Sequence, residues 1–408
     1  MSAWRAVAAW AAIALLVLGS PARADDGHLL IVGGGLSFDN EDVYRALIDN
    51  RPADSPGIAI IAAASTYAAS SASTFAGELM HYGVAPEDIA IVRLAVVDDP
   101  DTPDIDESGW ATNAADPEEI AKIENAGAIW LAGGDQARLN RALVEPGGGD
   151  TPMLAAIRAR LDDGAIVGGT SAGAAAMSSP MIARGDAFGA LFGDIGDAVS
   201  DDDENLAMIP GLRLFSPFIL DQHFGERGRM GRLVRAVMTQ PGPARIGIGI
   251  DEDTALLVDL AENDAQVIGI GAVTMIDGRG ARVSGGTISA IGLSRLHEGD
   301  RLNLTDLAIT SAPSRSAVER GQAVFGGLWP SVELVRALET ERRTIDISEF
   351  RPRNAARFEI RIVEGKRTAR FIFAADGDTR AWRSASDDGW NGTLTGARLS
   401  LESEDATP

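Results

Sequence analysis

Cysteine is absent from this chain of 408 residues. That excludes a cysteine nucleophile, a thiolate metal site and a lipid-bearing N-terminal cysteine. It also leaves packing, not disulfides, to hold the fold together. Lysine occurs only at Lys122 and Lys366, so nearly all the basic charge is arginine. Histidine is scarce, at His28, His81, His223 and His297, and no H-E-x-x-H is present. Neither a metal nor another cofactor is therefore expected. Positive charge is in deficit overall, with a formal net charge of −23. A surface this acidic argues against nucleic acid and anionic membranes as partners and favours solubility.

Long apolar runs are missing after the first one. That run, residues 6–18, follows Arg5 and precedes Ala22-Arg23-Ala24. A positive start, an apolar middle and an A-x-A site read as a secretory signal peptide over residues 1–24. The mature chain is expected to begin near Asp25, to carry a charge of −25 without Arg5 and Arg23, and to be secreted or periplasmic. No later stretch is long enough to be a membrane helix. The rest suits one large α/β domain, residues 25–310, with a small α+β appendage over 311–408.

What is present is a β/α alternation. Strands are expected at 28–32, 57–61, 89–94, 128–131 and 165–167. Helices are expected at 42–48, 73–82, 117–125 and 152–161. Continuous apolar strands separated by helices predict a parallel sheet covered on both faces, with sites at the carboxyl ends of its strands. Gly33-Gly34-Gly35, residues 133–136 and Ser171 all fall at such ends. The triple glycine lacks the G-x-G-x-x-G spacing and reads as a turn at a site mouth. Beyond Ser171 come strands at 218–220 and 246–250, a helix at 229–238, and an antiparallel edge formed by strands near 255–258, 267–270, 273–276 and 287–291. The appendage reads as a helix at 332–341 and a hairpin of 358–363 and 367–373 around Glu364-Gly365-Lys366. Trp329, Trp382 and Trp390 read as core. A chain stopped near residue 312 is expected to fold, because every candidate site residue lies earlier.

The chemistry centres on Gly168-Gly169-Thr170-Ser171-Ala172-Gly173-Ala174, which contains G-x-S-x-G between a strand and a helix. Such a turn presents a serine hydroxyl on a sharp corner. Ser171 is the candidate nucleophile and needs a base. His223, after a strand and among polar residues, is the candidate. Glu252, with Asp251 and Asp253 as alternatives, is the candidate acid that orients it. The order serine, acid, histidine of the α/β-hydrolases would draft His297 instead and make an esterase. The oxyanion hole is expected from the Ala172 N–H and from Gly133 or Gly134. Arg229 and Arg232 are three apart and share a helix face with Arg227 at its start, which suits carboxylate binding. A cation on the same ligand would need an acid in turn, Asp221 or one from the acidic loop 194–204.

The motifs A-G-G-D-Q at 132–136, G-G-T-S-A-G-A at 168–174, D-Q-H-F at 221–224, R-x-R-x-x-R at 227–232 and G-I-D-E-x-T-A at 249–255 resemble cyanophycinase. That serine peptidase family also includes the aspartyl dipeptidase peptidase E. The resemblance runs from about residue 28 to about 307 and leaves the tail outside. It implies a flavodoxin-like parallel sheet on the plan of class I glutamine amidotransferases, a Ser171–His223–Glu252 triad without metal, and a homodimer. By similarity Gln136, Asp221, Gln222, Arg227, Arg229 and Arg232 would bind substrate, a peptide or a cyanophycin-like polymer. Cyanophycin is a poly-aspartate backbone with an arginine on each β-carboxyl, and the family releases β-aspartyl-arginine dipeptides. The alternatives are an aspartyl or isoaspartyl dipeptidase of the peptidase E type and a catalytically silent binding protein on the same fold.

Overall fold

The computed structural model describes residues 27–197, 199, 204–318, 344–346, 357–384 and 392–405. The expected signal segment, the expected helix at 332–341, Trp329, Trp390 and part of the acidic loop lie outside them.

The N-terminal half follows the expected alternation. Strands β1 (His28–Val32), β2 (Gly57–Ile61), β3 (Ile89–Val92), β4 (Ala126–Leu131) and β5 (Ile166–Thr170) lie parallel in the order β1-β5-β4-β2-β3. Every residue of β4 is buried, as a strand covered on both faces requires. Helices α1 (Glu41–Asp49), α2 (Ala68–His81), α3 (Pro117–Glu124), α4 (Gln136–Leu143), α5 (Pro152–Asp162) and the short α6 (Ala172–Ala176) connect them. Their starts are written locally. Asp116 accepts from the Glu118 N–H with Pro117 in the first turn, Asp135 accepts from the Ala137 N–H, and Thr151 caps Leu154. Helix α2 begins five residues earlier than its apolar pattern predicts. There the Ser70 N–H donates to Asp99 of a distant loop, a tertiary cap that no local pattern announces.

Beyond α6, β6 (Met181–Arg184), β7 (Ile195–Gly196) and β8 (Leu206–Ile209) form a small sheet of their own. Next come β9 (Ile219–Gln222), α7 (Met230–Met238) and β10 (Ile246–Ile250). β9 and β10 pair in parallel, but they lie in a second large sheet and not beside β5. The meander β11 (Thr254–Asp259), β12 (Asp264–Gly269), β13 (Ala272–Asp277), β14 (Arg282–Ser284), β15 (Thr287–His297), β16 (Arg301–Asn303) and β17 (Ile309–Thr310) serves both sheets. β11, β12, β16 and β17 extend the first sheet antiparallel from β1, whereas β13 and β15 continue the second from β10.

The remaining strands are β18 (Arg315–Ala317), β19 (Thr344–Asp346), β20 (Arg357–Glu364), β21 (Arg367–Ala374), β22 (Arg380–Ser384) and β23 (Gly392–Asp405). β20 and β21 make the expected hairpin. These strands join the second sheet, because β23 pairs with β15 on one side and β21 on the other. Trp382 in β22 is half-buried. Ile360, Ile362, Phe371, Phe373, Leu399 and Leu401 share one apolar cluster with Met230, Leu233, Val234 and Val237 of α7. The expectation that a chain stopped near residue 312 folds is therefore corrected, since such a chain would leave the outer face of α7 in water.

A chain ended at residue 312 should lack a cooperative thermal transition by circular dichroism. Phe371→Ala in the full chain should cost about 3–5 kcal/mol, as for a large aromatic lost from a core, and lower the denaturant midpoint accordingly. A truncated chain that melts like the full one would show that the core closes without the tail.

Candidate active site

Ser171 sits between β5 and α6 with φ 52° and ψ −111°. A non-glycine residue at positive φ is strained, and here the strain is held by the elements on either side. The Ser171 N–H donates to Val32 O at the end of β1, and Ser171 O accepts from Ala175 N–H in α6. The corner aims the hydroxyl at His223, whose Nε2 lies 2.7 Å from Ser171 Oγ. On the other side of the ring, His223 Nδ1 lies 2.6 Å from Glu252 Oε1. Three groups expected from separate stretches thus stand in one hydrogen-bonded line. Each comes from the end of a different strand: β5, β9 and β10.

The triple glycine lets the two sheets meet here. The His223 N–H donates to Gly33 O at 2.7 Å, and the Asp253 N–H donates to Gly34 O at 2.8 Å. Gly34 has φ +102°, and a Cβ there would come within 2.2 Å of His223 Cε1. Gly35 has φ +55°, and its Cβ would meet Glu252 Oε2 at 2.8 Å. The glycines are therefore needed twice, for their backbone angles and for the space taken by the base and its acid.

His297, the alternative base, is not in this line. It is buried at the end of β15, where Arg295 Nε donates to its Nε2 at 3.2 Å and its own N–H donates to Asp300. Asp251 and Asp253, the alternative acids, are also engaged elsewhere. Asp251 accepts from the Gly225 and Ala272 N–H groups, and Asp253 holds Ser37 and Asn40.

A cavity of about 590 Å³ opens beside Ser171. The Gly133-Gly134 turn borders it: Gly134 lines the wall, and a Cβ on Gly133 would stand 3.3 Å from Ser171 Cβ. Ala172 N–H, in the first turn of α6, has no intrahelical acceptor, as at any helix start. Gln136 and Gln222 line the wall, and Gln136 Nε2 donates to Ile182 O and Ala183 O. Its amide is thereby fixed on the strand that forms the opposite side.

The three expected arginines all reach the cavity, but not equivalently. Arg232 is buried and grips buried Asp221 with two nitrogens, Nε to Oδ2 at 2.8 Å and Nη2 to Oδ1 at 2.5 Å. Arg229 approaches the same carboxylate at 3.4 Å and donates to Gln222 O at 2.6 Å. Burial first, then the adjacent Arg232, lowers the Arg229 guanidinium to about 9, still charged at neutral pH. Arg227 is exposed at the mouth and has no side-chain partner among the described residues. The expected use of Asp221 against a substrate's guanidinium is corrected, because that carboxylate is already occupied behind the wall. Removing Arg232 would strand a buried charge, which typically costs 3–5 kcal/mol.

Sequence reasoning missed the wall residues Ala183, Arg184, Gly185, Asp186, Ala187 and Glu226. Arg184 is paired with Asp135 at 2.6 Å, and Asp186 accepts from the Phe188 N–H at 2.6 Å. Glu226 is exposed, and its Oε2 accepts from the Glu252 N–H at 3.1 Å. Its place between His223 and Arg227 was the available signal.

A hydrogen-bonded Ser–His–carboxylate line beside a charged cavity on an α/β fold defines the site's class. Residues 106–267 match the family described as Peptidase family S51. The matched segment contains Ser171, His223 and Glu252. The cyanophycinase of Trichormus variabilis (strain ATCC 29413 / PCC 7937) is 40% identical over 158 residues, 38% of this chain and 47% of that one. The cyanophycinase of Geminocystis herdmanii (strain PCC 6308) is 39% identical over 194 residues, 44% of this chain and 64% of that one. The chain thus spans about half the length of the curated relatives it matches. A solved peptidase from an acI-B1 Actinobacterium superposes with a TM-score of 0.46 at 18% identity, over 69% of this chain and 98% of that one.

Burial, then the cationic Arg227, lowers the His223 ring from 6.5 to about 4, and Glu252 opposes both. The folded value lies below the unfolded one, so the neutral ring is favoured. Its contribution to stability is complete above pH 6.5 and is lost as the pH falls through about 4. The labelling rate of Ser171 by a neutral fluorophosphonate should have its acid limb below pH 6.5, near 4. Arg227→Ala should move that limb upward, because a repelling cation is gone. Gly34→Ala should slow labelling at least about a hundredfold by displacing the ring. An acid limb at 6.5 or above, unmoved in Arg227→Ala, would refute this account of the base.

Proposed function

We propose that this chain is a serine peptidase for aspartyl backbone bonds, with cyanophycin as the leading substrate and β-aspartyl-arginine, its β-linkage intact, as the released dipeptide. The observation that carries the reading is the Ser171–His223–Glu252 line at the edge of a cavity lined by arginines. In this reading Ser171 Oγ attacks the carbonyl carbon and His223 Nε2 takes its proton. Glu252 holds Nδ1–H and stabilises the imidazolium. The Ala172 N–H and the Gly133-Gly134 turn receive the developing oxyanion. The imidazolium then returns the proton to the departing amine, and a water activated by His223 hydrolyses the acyl-enzyme. No step calls for a metal.

The charges around the cavity support this substrate chemistry. Arg232 is engaged by Asp221 and Arg184 by Asp135, so Arg227 and Arg229 are the cations best placed for a substrate carboxylate. Glu226 and Asp186 are the wall's acids, and they suit a guanidinium. A ligand carrying both charges matches both sets. The relatives named cyanophycinase agree with that chemistry. The reading extends to export, supported by the Arg5, apolar and A-x-A pattern of residues 1–24, and to a homodimer, supported by the family resemblance.

Purified protein on cyanophycin should release β-aspartyl-arginine, detected by mass spectrometry. Ser171→Ala and His223→Ala should each abolish release, and His297→Ala should not. Release that survives Ser171→Ala would end the serine reading. Glu226→Gln keeps an acceptor for the Glu252 N–H but removes the charge. It should lower kcat/KM for release of β-aspartyl-arginine from cyanophycin about tenfold to a hundredfold and leave fluorophosphonate labelling of Ser171 unchanged. Equal kcat/KM for cyanophycin and for aspartyl-leucine in the native protein would favour a general aspartyl dipeptidase instead.

A further inference from the structure

The tail beyond residue 311 lies outside the family segment, yet it touches the elements that build the cavity. One wall runs from β6 through Gly185 and Asp186 into a tight 3₁₀ turn, Gly189–Leu191. Helix α7 holds this wall from one side. Arg232 Nη1 donates to Gly185 O at the wall's inner edge, and Arg235 donates to Leu191 O and to Gly193 O. The tail holds it from the other. Arg367 of β21 donates through Nη1 to Glu204 Oε1 at 3.0 Å and through Nε to Asp405 at 3.3 Å. Its guanidinium also lies 5.5 Å from the centre of the Phe192 ring. Phe371, four residues on, shares an apolar cluster with Phe188, Leu191 and α7. Glu204 leads into β8, which pairs with β6 and so returns to Arg184 on the wall. The loop is thus held by two arginines of α7, Arg232 and Arg235, and at Phe192 and Glu204 by Arg367 of the tail.

We propose that the C-terminal hairpin β20–β21 positions the substrate-binding wall, with Arg367 as the positioning residue that ties the 185–193 loop to the second sheet through Glu204 and Phe192. The hairpin does not touch Ser171, His223 or Glu252 through any of these contacts. Its influence therefore falls on substrate binding and not on the nucleophile. A partly exposed ion pair is worth little alone, but here one guanidinium makes two carboxylate contacts and an aromatic one at the same time.

The test uses the full chain with Arg367→Ala and Arg367→Lys, and it has two readouts. The first is amide hydrogen exchange, which does not depend on any substrate. In Arg367→Ala, exchange across residues 185–193 should rise about tenfold, with residues 171–176 unchanged. Arg367→Lys, which keeps the charge facing Glu204, should recover most of the protection. The second is kinetic and rests on the cyanophycin reading above. In Arg367→Ala, KM for cyanophycin should rise about threefold to tenfold, with kcat and fluorophosphonate labelling of Ser171 within about twofold. Unchanged exchange at 185–193 would overturn the proposal. So would increased exchange over the whole chain, or a fall in kcat and labelling together, since either marks general destabilisation. If the native protein does not hydrolyse cyanophycin, the functional reading fails by itself, and the exchange experiment still decides the role of Arg367.

Discussion

The structure depends on one close approach, that of the His223 ring to the glycine turn after β1. Ser171 belongs to the first sheet, and His223 and Glu252 belong to the second. A triad split in this way works only if the two sheets meet within hydrogen-bond distance. The contact is made by backbone: Gly33 O takes the His223 N–H, and Gly34 O takes the Asp253 N–H. The missing side chain at Gly34 then leaves room for the ring itself. Backbone contacts of this kind cannot lengthen to suit a neighbour, as a long side chain can. They hold Ser171 and His223 in register across an interface that side-chain packing alone would leave looser.

The arginines of α7 divide into two kinds, although they share one motif. Arg232 and Asp221 form a buried bidentate pair, which commonly returns little more than its desolvation cost. Its geometric effect is clearer than its energetic one. It fixes the start of α7 against β9, one residue before Gln222 and two before His223. Arg227, exposed and without a side-chain partner among the described residues, does the opposite. It keeps its charge available at the mouth and lowers the affinity of His223 for a proton. The same residue type therefore builds the wall at one position and acts on the base at another. Burial separates the two roles.

Much of the site was legible because its signals are local. Strand, G-x-S-x-G and small-residue helix follow one another within a dozen residues, and the candidate base and acid each sit at a strand end. The five parallel strands were legible for the same reason, since an apolar run bounded by turn residues reports its own period. Partnership between strands leaves no such mark. Nothing in residues 219–222 or 246–250 says that they pair with each other in a second sheet, because pairing is decided by distant segments competing for the same edges. The tail was misjudged for a related reason. Its alternation in 357–364 and 367–374 reveals a hairpin with one buried face, but not that this face covers α7. The wall residues Arg184 to Asp186 were missed because their pairing with Asp135 and with helix-turn N–H groups is long-range or depends on backbone geometry.

The charge distribution joins composition to the site. A protein with a net charge of −23 would repel a polyanion at long range, yet the cavity beside its nucleophile is lined by four arginines. The two facts are compatible because exposed charges are screened beyond about 8 Å at physiological ionic strength. Only residues lining the cavity act strongly on a bound group, and two of their positive charges are already matched by Asp135 and Asp221. What remains is a short-range pattern of both signs, Arg227 and Arg229 near the base and Glu226 beside them, inside a long-range negative field. A substrate that is itself dense in both charges and nearly neutral overall meets little repulsion on approach and finds partners of both signs on arrival. A simple polyanion would be opposed at the surface, and a simple polycation would be held there by the acidic exterior, away from the serine. The balance of many acids, many arginines and almost no lysine is thus compatible with the zwitterionic substrate proposed above.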